Sequence, residues 1–173
     1  MNSTYALFLG LFIVSLAVRT GYEVLKKSGK VNPESKPLFA GVFAAMCVLW
    51  ISWFGMCPVD PLPVALPVQL RWTGFALFLV GIGLAIAALA QLKGVENIDH
   101  LVTTGLFSKL RHPMYVGFLS WIVGWSVYHG ALASLLTGLA GIGSILYWRR
   151  LEEQNLEAKY GERYRVYRKQ TWF

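Results

Sequence analysis

A chain of 173 residues and 19.3 kDa with 55% hydrophobic residues, 14% charged residues and a mean hydropathy of +0.50 carries too little charge to cover a soluble domain of its size. Several apolar stretches approach the ~20 residues a helix needs to cross a hydrocarbon core about 30 Å thick, so the chain reads as integral to a membrane. A soluble dinucleotide-binding enzyme, a disulfide-stapled secreted domain and a disordered tail are excluded.

The expected fold is all-α: a polytopic membrane protein of five transmembrane helices followed by a cytoplasmic amphipathic C-terminal helix. The whole chain, 1–173, reads as one integral-membrane domain, with three spans in 1–91 and a loop, helix hairpin and C-terminal helix in 92–173. The first span, 4–25, has no Lys or Arg before it and no small-residue cleavage site, so it reads as retained rather than as a removed leader. Its Arg19 and Glu23 stand one helical turn apart near the span end, where they pair or snorkel in a structural role. A loop with Lys26, Lys27, Lys30 and Lys36 leads to the second span, 38–57. Cys47 and Cys57 are about 15 Å apart along that helix, which excludes a mutual disulfide. The next loop, 58–67, holds four prolines and one acid and reads as a stiff cap. The third span is 70–91, and its Gly81-Ile82-Gly83 reads as a packing feature.

The fourth and fifth spans are 114–128 and 131–148. A continuous helix over both would be about 52 Å long, far beyond the hydrocarbon core, so His129-Gly130 reads as a tight hairpin turn. Pro113 suits the first turn of the fourth helix, where its missing N–H is of no consequence. Gly117, Gly124, Gly130, Ser134, Gly138, Ala133, Thr137 and Gly141 form small-residue faces, expected to pack the two helices of the hairpin closely. Trp50, Trp53, Trp72, Trp121, Trp125 and Trp148 lie mostly toward span ends and read as interface anchors.

On this map 15 of the 16 Lys and Arg residues fall on one side, with only Arg71 opposite. The positive-inside rule then puts the amino terminus outside and the carboxyl terminus in the cytoplasm, in the cell inner membrane if the source is prokaryotic. The net charge of +7 reads as topology and attraction to anionic lipid rather than nucleic-acid binding. No charge sits in the middle of a span, which disfavours a channel or proton-coupled carrier. No metal site is expected, since His100, His112 and His129 are scattered over loops.

Polar, titratable and aromatic residues concentrate in two segments, 101–115 and 152–167, which flank the last two spans. The hairpin brings both to one membrane face. Glu152, Leu156, Tyr160 and Tyr164 recur every four residues and are expected on one face of a terminal helix. The adjacent carboxylates Glu152 and Glu153 fit a helix beginning just below the membrane, where the helix dipole favours negative charge.

Thr104-Gly105-Leu106-Phe107, Arg111-His112-Pro113-Met114-Tyr115 and Glu152-Glu153, followed by Leu156, Tyr160-Gly161, Tyr164 and Tyr167, together resemble one family. It is that of the isoprenylcysteine carboxyl methyltransferases and their phospholipid N-methyltransferase relatives, integral-membrane enzymes that use S-adenosylmethionine. The resemblance covers the last ~75 residues closely and the earlier spans only in hydropathy and number. It implies a methyltransferase acting on a lipophilic acceptor, an isoprenylcysteine-like carboxylate or a lipid amine, that arrives from the bilayer. It also implies catalytic roles for Arg111, His112, Tyr115 and Glu153, and contacts to the donor from Leu101, Val102, Gly105, Leu106, His112, Tyr115, Glu152 and Glu153. The stretch 91–100 is shorter than in many members, Phe107 stands where the family often has a tyrosine, and no proline-containing extension follows Trp172-Phe173. The alternatives are a reductase on the related core of the sterol reductases, using a nicotinamide cofactor, and a non-catalytic lipid-binding or carrier protein.

Overall fold

The computed structural model describes residues 3–92 and 100–173. Residues 93–99, which hold most of the stretch noted above as short, lie outside the described residues. The described residues form six α-helices: α1 Ser3–Lys27, α2 Lys36–Met56, α3 Val68–Leu92, α4 Pro113–His129, α5 Leu132–Tyr160 and α6 Glu162–Gln170. Among the described residues there is no strand, only two isolated bridges, Pro63 with Ala131 and Leu110 with Trp172.

Among the described residues three helices are long and apolar enough to cross a membrane: α1, α2 continued by a short 3-10 turn to Val59, and α3. They are apolar on nearly all faces, as lipid-facing helices are. Local chemistry sets their ends. Lys26 and Lys27 close α1, and a Lys30 N–H to Leu25 carbonyl bond of 3.0 Å wraps over Gly29, whose φ of 68° ends the helix. Pro37 and Pro113 sit in the first turns of α2 and α4, the latter as expected.

The expected turn at His129-Gly130 is present. Gly130 has φ 65°, and the Ala131 N–H reaches back to the Ser126 carbonyl at 2.9 Å. A Cβ on Gly130 would lie 2.3 Å from the Val64 carbonyl oxygen, so the proline-rich loop closes directly over the turn. That loop is more than a stiff cap. Asp60 Oδ2 accepts the Ser134 N–H and hydroxyl, both at 2.6 Å, and Oδ1 accepts the Leu62 N–H at 2.8 Å. The start of α5, whose own N-cap position is Ala131, is thus capped from a distant loop.

Three sequence expectations are corrected. First, α5 does not stop near Trp148 but runs to Tyr160, so Glu152 and Glu153 sit about twenty residues inside a helix and gain nothing from its N-terminal dipole. Gly161, at φ 53° and ψ −127°, breaks the chain there. The four-residue repeat from Glu152 to Tyr164 therefore crosses a helix break instead of marking one face. Second, Gly117 and Gly124 of α4 pack against α3 and not against α5. A Cβ on Gly81 would lie 2.6 Å from the Gly117 carbonyl oxygen, and one on Gly124 would lie 2.6 Å from that of Gly74. The packing reading of Gly81 is met, while Gly83 faces open space, and Gly138 does lie against Ile122 of α4 and Trp53. Third, the tryptophans are mainly core residues. Trp53, Trp121 and Trp148 are buried, Trp50 and Trp125 are half-buried, and Trp72 alone of the six is exposed. Trp50 meets Trp121 edge-on at 4.6 Å, and the Trp125 indole donates to the Phe54 carbonyl at 3.1 Å, which ties α2 to α4.

The pairing of helices positions the site. α1 packs on α2, α3 on α4, and α5 on both α1 and α4, whereas α2 and α3 make little contact with each other. A second, small core of Leu101, Tyr164 and Tyr167, with Leu156 and Tyr160, joins the loop before α4 to α6.

Candidate functional site

A cavity of about 590 Å³ opens between the pairs of helices. Its polar end is built by the loop before α4, by the second half of α5 and by α6. Its far wall is apolar and comes from Val42, Phe43, Met46 and Trp50 of α2, from Ala85, Ile86 and Leu89 of α3, and from Phe118 and Trp121 of α4.

Arg111 and His112 precede α4 because Pro113 forces the residue before it out of helical geometry; His112 has φ −126° and ψ 60°. His112 is buried and stands between two carboxylates, with Nδ1 3.6 Å from Glu152 Oε2 and Nε2 3.4 Å from Glu153 Oε1. Neither approach makes a well-formed hydrogen bond, and Nε2 stands buried with no hydrogen-bond partner among the described residues. Tyr115 stacks on His112 with ring centroids 5.4 Å apart. The expected meeting of the two segments therefore occurs.

Arg111 is committed to the protein itself. Its Nε donates to Glu153 Oε1 at 3.2 Å, and Nη1 donates to the carbonyls of Arg168 at 3.1 Å and Thr171 at 2.7 Å. Beside it the Arg111 N–H donates to the Trp172 carbonyl at 3.1 Å, the Trp172 N–H to the Lys109 carbonyl at 2.8 Å, and the Tyr167 hydroxyl to the Phe107 carbonyl at 2.6 Å. The segment after α6 is thus laced onto the loop that carries the arginine and histidine.

Glu152 and Glu153 differ because successive residues of a helix point about 100° apart. Glu152 lines the cavity with its side chain 48% exposed, while Glu153, at 13%, sits behind it among Arg111, His112 and Arg149. The approach of His112, then Arg149 and Arg111, outweighs burial and holds the Glu153 carboxyl down at about 2. Burial pushes the Tyr164 hydroxyl up to about 12, and its oxygen has no hydrogen-bond partner among the described residues.

Of the residues singled out in the sequence, Leu101, Val102, Arg111, His112, Tyr115 and Glu152 line the cavity. Glu153, Gly105 and Leu106 are not among its lining residues. Gly105, at φ 61°, lies against Gln91, whose side-chain oxygen accepts the Leu106 N–H at 3.0 Å. Sequence reasoning missed Arg19, Glu23 and Lys26 of α1 and the α2 wall, all of which line the cavity. The one signal available was the pair of charges inside an otherwise apolar span.

The chain is 31% identical over 145 residues to the methanethiol S-methyltransferase of Pseudomonas deceptionensis, covering 74% of this chain and 55% of that protein. With the protein-S-isoprenylcysteine O-methyltransferase of Schizosaccharomyces pombe it shares 36% identity over 83 residues, 44% of this chain and 33% of the relative. With the protein of the same name from Xenopus laevis it shares 31% over 122 residues, 60% of this chain and 40% of the relative. The chain thus spans between a third and just over half of the length of these curated relatives. No solved structure matches it. A family profile described as phospholipid methyltransferase matches residues 70–163, a stretch that runs from the start of α3 through the arginine–histidine loop and the double carboxylate to the first residues of α6, and the chain belongs to that family.

Proposed function

We propose that this protein is an integral-membrane methyltransferase that moves a methyl group from S-adenosylmethionine to a lipophilic acceptor. The observation that carries the reading is the convergence of His112, Tyr115 and Glu152 on one cavity whose other wall is apolar. Membership of a methyltransferase family supports it and calls for a methyl donor.

The polar end suits that donor on its own chemistry. A cavity-facing carboxylate, Glu152, matches an ammonium or ribose hydroxyls, and the His112 Nε2 and Tyr164 hydroxyl are buried polar atoms with no hydrogen-bond partner among the described residues. Leu101 and Val102 provide an apolar edge for adenine. Glu153 acts one layer back, and Arg111, at the cavity wall, spends its donors on the protein: together they hold His112 and the segment after α6 in position. When bound, S-adenosylmethionine supplies a methyl group activated by a sulfonium, and the transfer needs alignment and exclusion of water more than a strong acid or base. The stacked pair of His112 and Tyr115 fixes the wall against which reacting groups are aligned, and the small core of Tyr164, Tyr167 and Leu101 shields that end from water. A carboxylate acceptor is ionised at neutral pH and needs no base; an amine acceptor must first lose a proton.

The acceptor enters from the side. The α2 and α3 walls make little contact with each other, and Phe43, Ile86 and Leu89 border the cavity while also facing outward, so a lipid tail passes between these helices. In this reading α4 and the first half of α5 are also spans, giving five, with the amino terminus outside and the donor site cytoplasmic. The support is the distribution of Lys and Arg, and the 17 residues of α4 are near the lower limit for crossing.

Calorimetric titration of the purified protein with S-adenosylmethionine tests the donor, beside a Glu152→Ala, Glu153→Ala double variant. Saturable binding by the wild type, weakened about tenfold or more in the variant, is expected from the loss of a charge-assisted contact. No binding by the wild type, or equal binding by both, overturns the assignment. Binding of reduced nicotinamide nucleotide in its place would point to the reductase chemistry.

A further inference from the structure

The loop that walls the polar end of the cavity is gripped from α3 by a side chain that belongs to none of the motifs. Leu101, Val102, Phe107, Arg111 and His112 of this loop line the cavity. Between them the backbone makes a 3-10 turn, Gly105–Ser108, entered through Gly105 at φ 61°. A turn this short holds itself poorly, because its own hydrogen bonds have poor geometry and its first N–H groups lack partners within it. Thr104, at its N-cap position, gives no side-chain cap.

Gln91 provides that cap from another helix. It is the first polar side chain of α3 after Thr73 and stands one residue before the helix ends at Leu92. Its Oε1 accepts the Leu106 N–H at 3.0 Å, from a residue 15 positions away in the chain. A Cβ on Gly105 would lie 2.5 Å from that oxygen and 2.9 Å from the carboxamide carbon, so the Gln91 side chain fills the space that any larger residue at 105 would need. Gly105 is therefore required twice, for its positive φ and for this close approach.

Two further holds come from the α6 side. The Tyr167 hydroxyl donates to the Phe107 carbonyl at 2.6 Å, and the Trp172 backbone pairs with Lys109 and Arg111. Both grip the loop at or beyond Phe107. Without Gln91 the turn would stay tied there and be loose at Gly105 and Leu106, the end that leads to Leu101 and Val102. Leu89 and Leu92, which flank Gln91 on α3, themselves line the cavity, so the same turn of helix bounds the apolar wall and grips the loop at the polar end.

We infer that Gln91 is a positioning residue for the methyl donor: by accepting the Leu106 N–H it sets the Leu101 and Val102 edge against which the adenine end packs. The inference rests on the methyl-transfer reading of this cavity and adds to it a residue on α3, outside the arginine–histidine and double-glutamate motifs.

Two variants of nearly equal side-chain length separate the oxygen from the bulk. Gln91→Met keeps the length and loses the accepting oxygen, whereas Gln91→Glu keeps both. The purified proteins are titrated with S-adenosylmethionine by calorimetry in one detergent, and hydrogen exchange of the segment 101–110 is followed beside thermal unfolding. Gln91→Met is expected to bind the donor about fivefold to tenfold more weakly than the wild type, the size of one lost hydrogen bond, and Gln91→Glu within about twofold of it. Exchange in 101–110 should quicken in Gln91→Met alone, with the midpoint of unfolding within about 2 °C of the wild type in both variants. Wild-type affinity in Gln91→Met overturns the inference, as does an equal loss in Gln91→Glu, which would take the effect away from the accepting oxygen. A loss of donor affinity that comes with a lower midpoint and faster exchange throughout the protein also overturns it, since that marks a structural role. A wild type that binds no S-adenosylmethionine overturns the methyl-transfer reading, and faster exchange of 101–110 confined to Gln91→Met would then still uphold the grip of Gln91 on the loop.

Discussion

Glu152 and Glu153 show how far one residue step on a helix can separate two identical side chains. Both belong to the same motif, and nothing in their order says which meets the ligand. The rotation of about 100° per residue turns Glu152 to the cavity and Glu153 to Arg111, His112 and Arg149. A carboxyl held down at about 2 is ionised at neutral pH, which suits Glu153 to an ionic role rather than to proton transfer. Its work is ionic, holding the arginine–histidine loop against α5. The sign of its pH dependence follows. A depressed carboxyl stabilises the fold fully above its ordinary value of 4.5 and loses that contribution as pH falls toward about 2. The stability difference between wild type and Glu153→Gln, read from unfolding in detergent micelles, should therefore be flat from neutral pH to about 5 and shrink below about 4.5. A difference that stays constant down to about pH 3 would show that Glu153 is not the depressed group.

Between elements, the joint that sets the cavity's width is α3 against α4. Gly74 and Gly81 lie seven residues apart on α3 and meet Gly124 and Gly117 on α4, backbone to backbone. At position 81 an added Cβ would come within 2.9 Å of the Trp121 nitrogen as well as 2.6 Å of the Gly117 oxygen, so no rotamer relieves it and the helices must part. Gly81→Ala should cost about 1–3 kcal/mol of stability and disturb Trp121 on the cavity wall. Gly83→Ala, two residues away with nothing within 4 Å, should be neutral or stabilise by up to about 1 kcal/mol through helix propensity. Thermal unfolding of both variants in one detergent checks the contrast, and equal effects would refute the close-packed joint. The small-residue stripes were legible in the sequence, but their partner was not. Spacing shows which residues share a face, and only tertiary packing decides which neighbour that face meets. The same limit hid Asp60, whose role depends on a loop folding back over α5, and Arg19, whose span looked ordinary until α5 packed against it. Arg111, His112 and the double glutamate could be read because polar groups flanking an apolar hairpin must come together at one end of it.

At the scale of the whole molecule, the few charges of this apolar chain carry the proposed orientation. Lys26, Lys27, Lys30 and Lys36, then Lys109 and Arg111 before α4, and the basic stretch after Trp148 gather at the end that holds His112 and Glu152. The Asp60 loop and the His129-Gly130 turn lie together at the other end, where Arg71 donates to the Tyr128 carbonyl at 2.8 Å. The proposed orientation, which follows from the positive-inside rule, puts the first end in the cytoplasm, and the five-span reading requires both ends of α4 to lie at opposite surfaces. This can be tested without reference to activity. In a background carrying Cys47→Ser and Cys57→Ser, single reporters Ser28→Cys between α1 and α2, Leu62→Cys in the Asp60 loop and Lys169→Cys near the end of α6 all occupy exposed positions. A membrane-impermeant maleimide applied to intact cells should label position 62 alone, and permeabilised cells should label all three. Labelling of positions 28 and 169 from outside would invert the orientation and move the proposed donor site away from the cytoplasm. Labelling of 62 and 169 together, with 28 protected, would mean that the chain crosses an even number of times after the Asp60 loop, and α4 and α5 would then no longer form a complete hairpin below it.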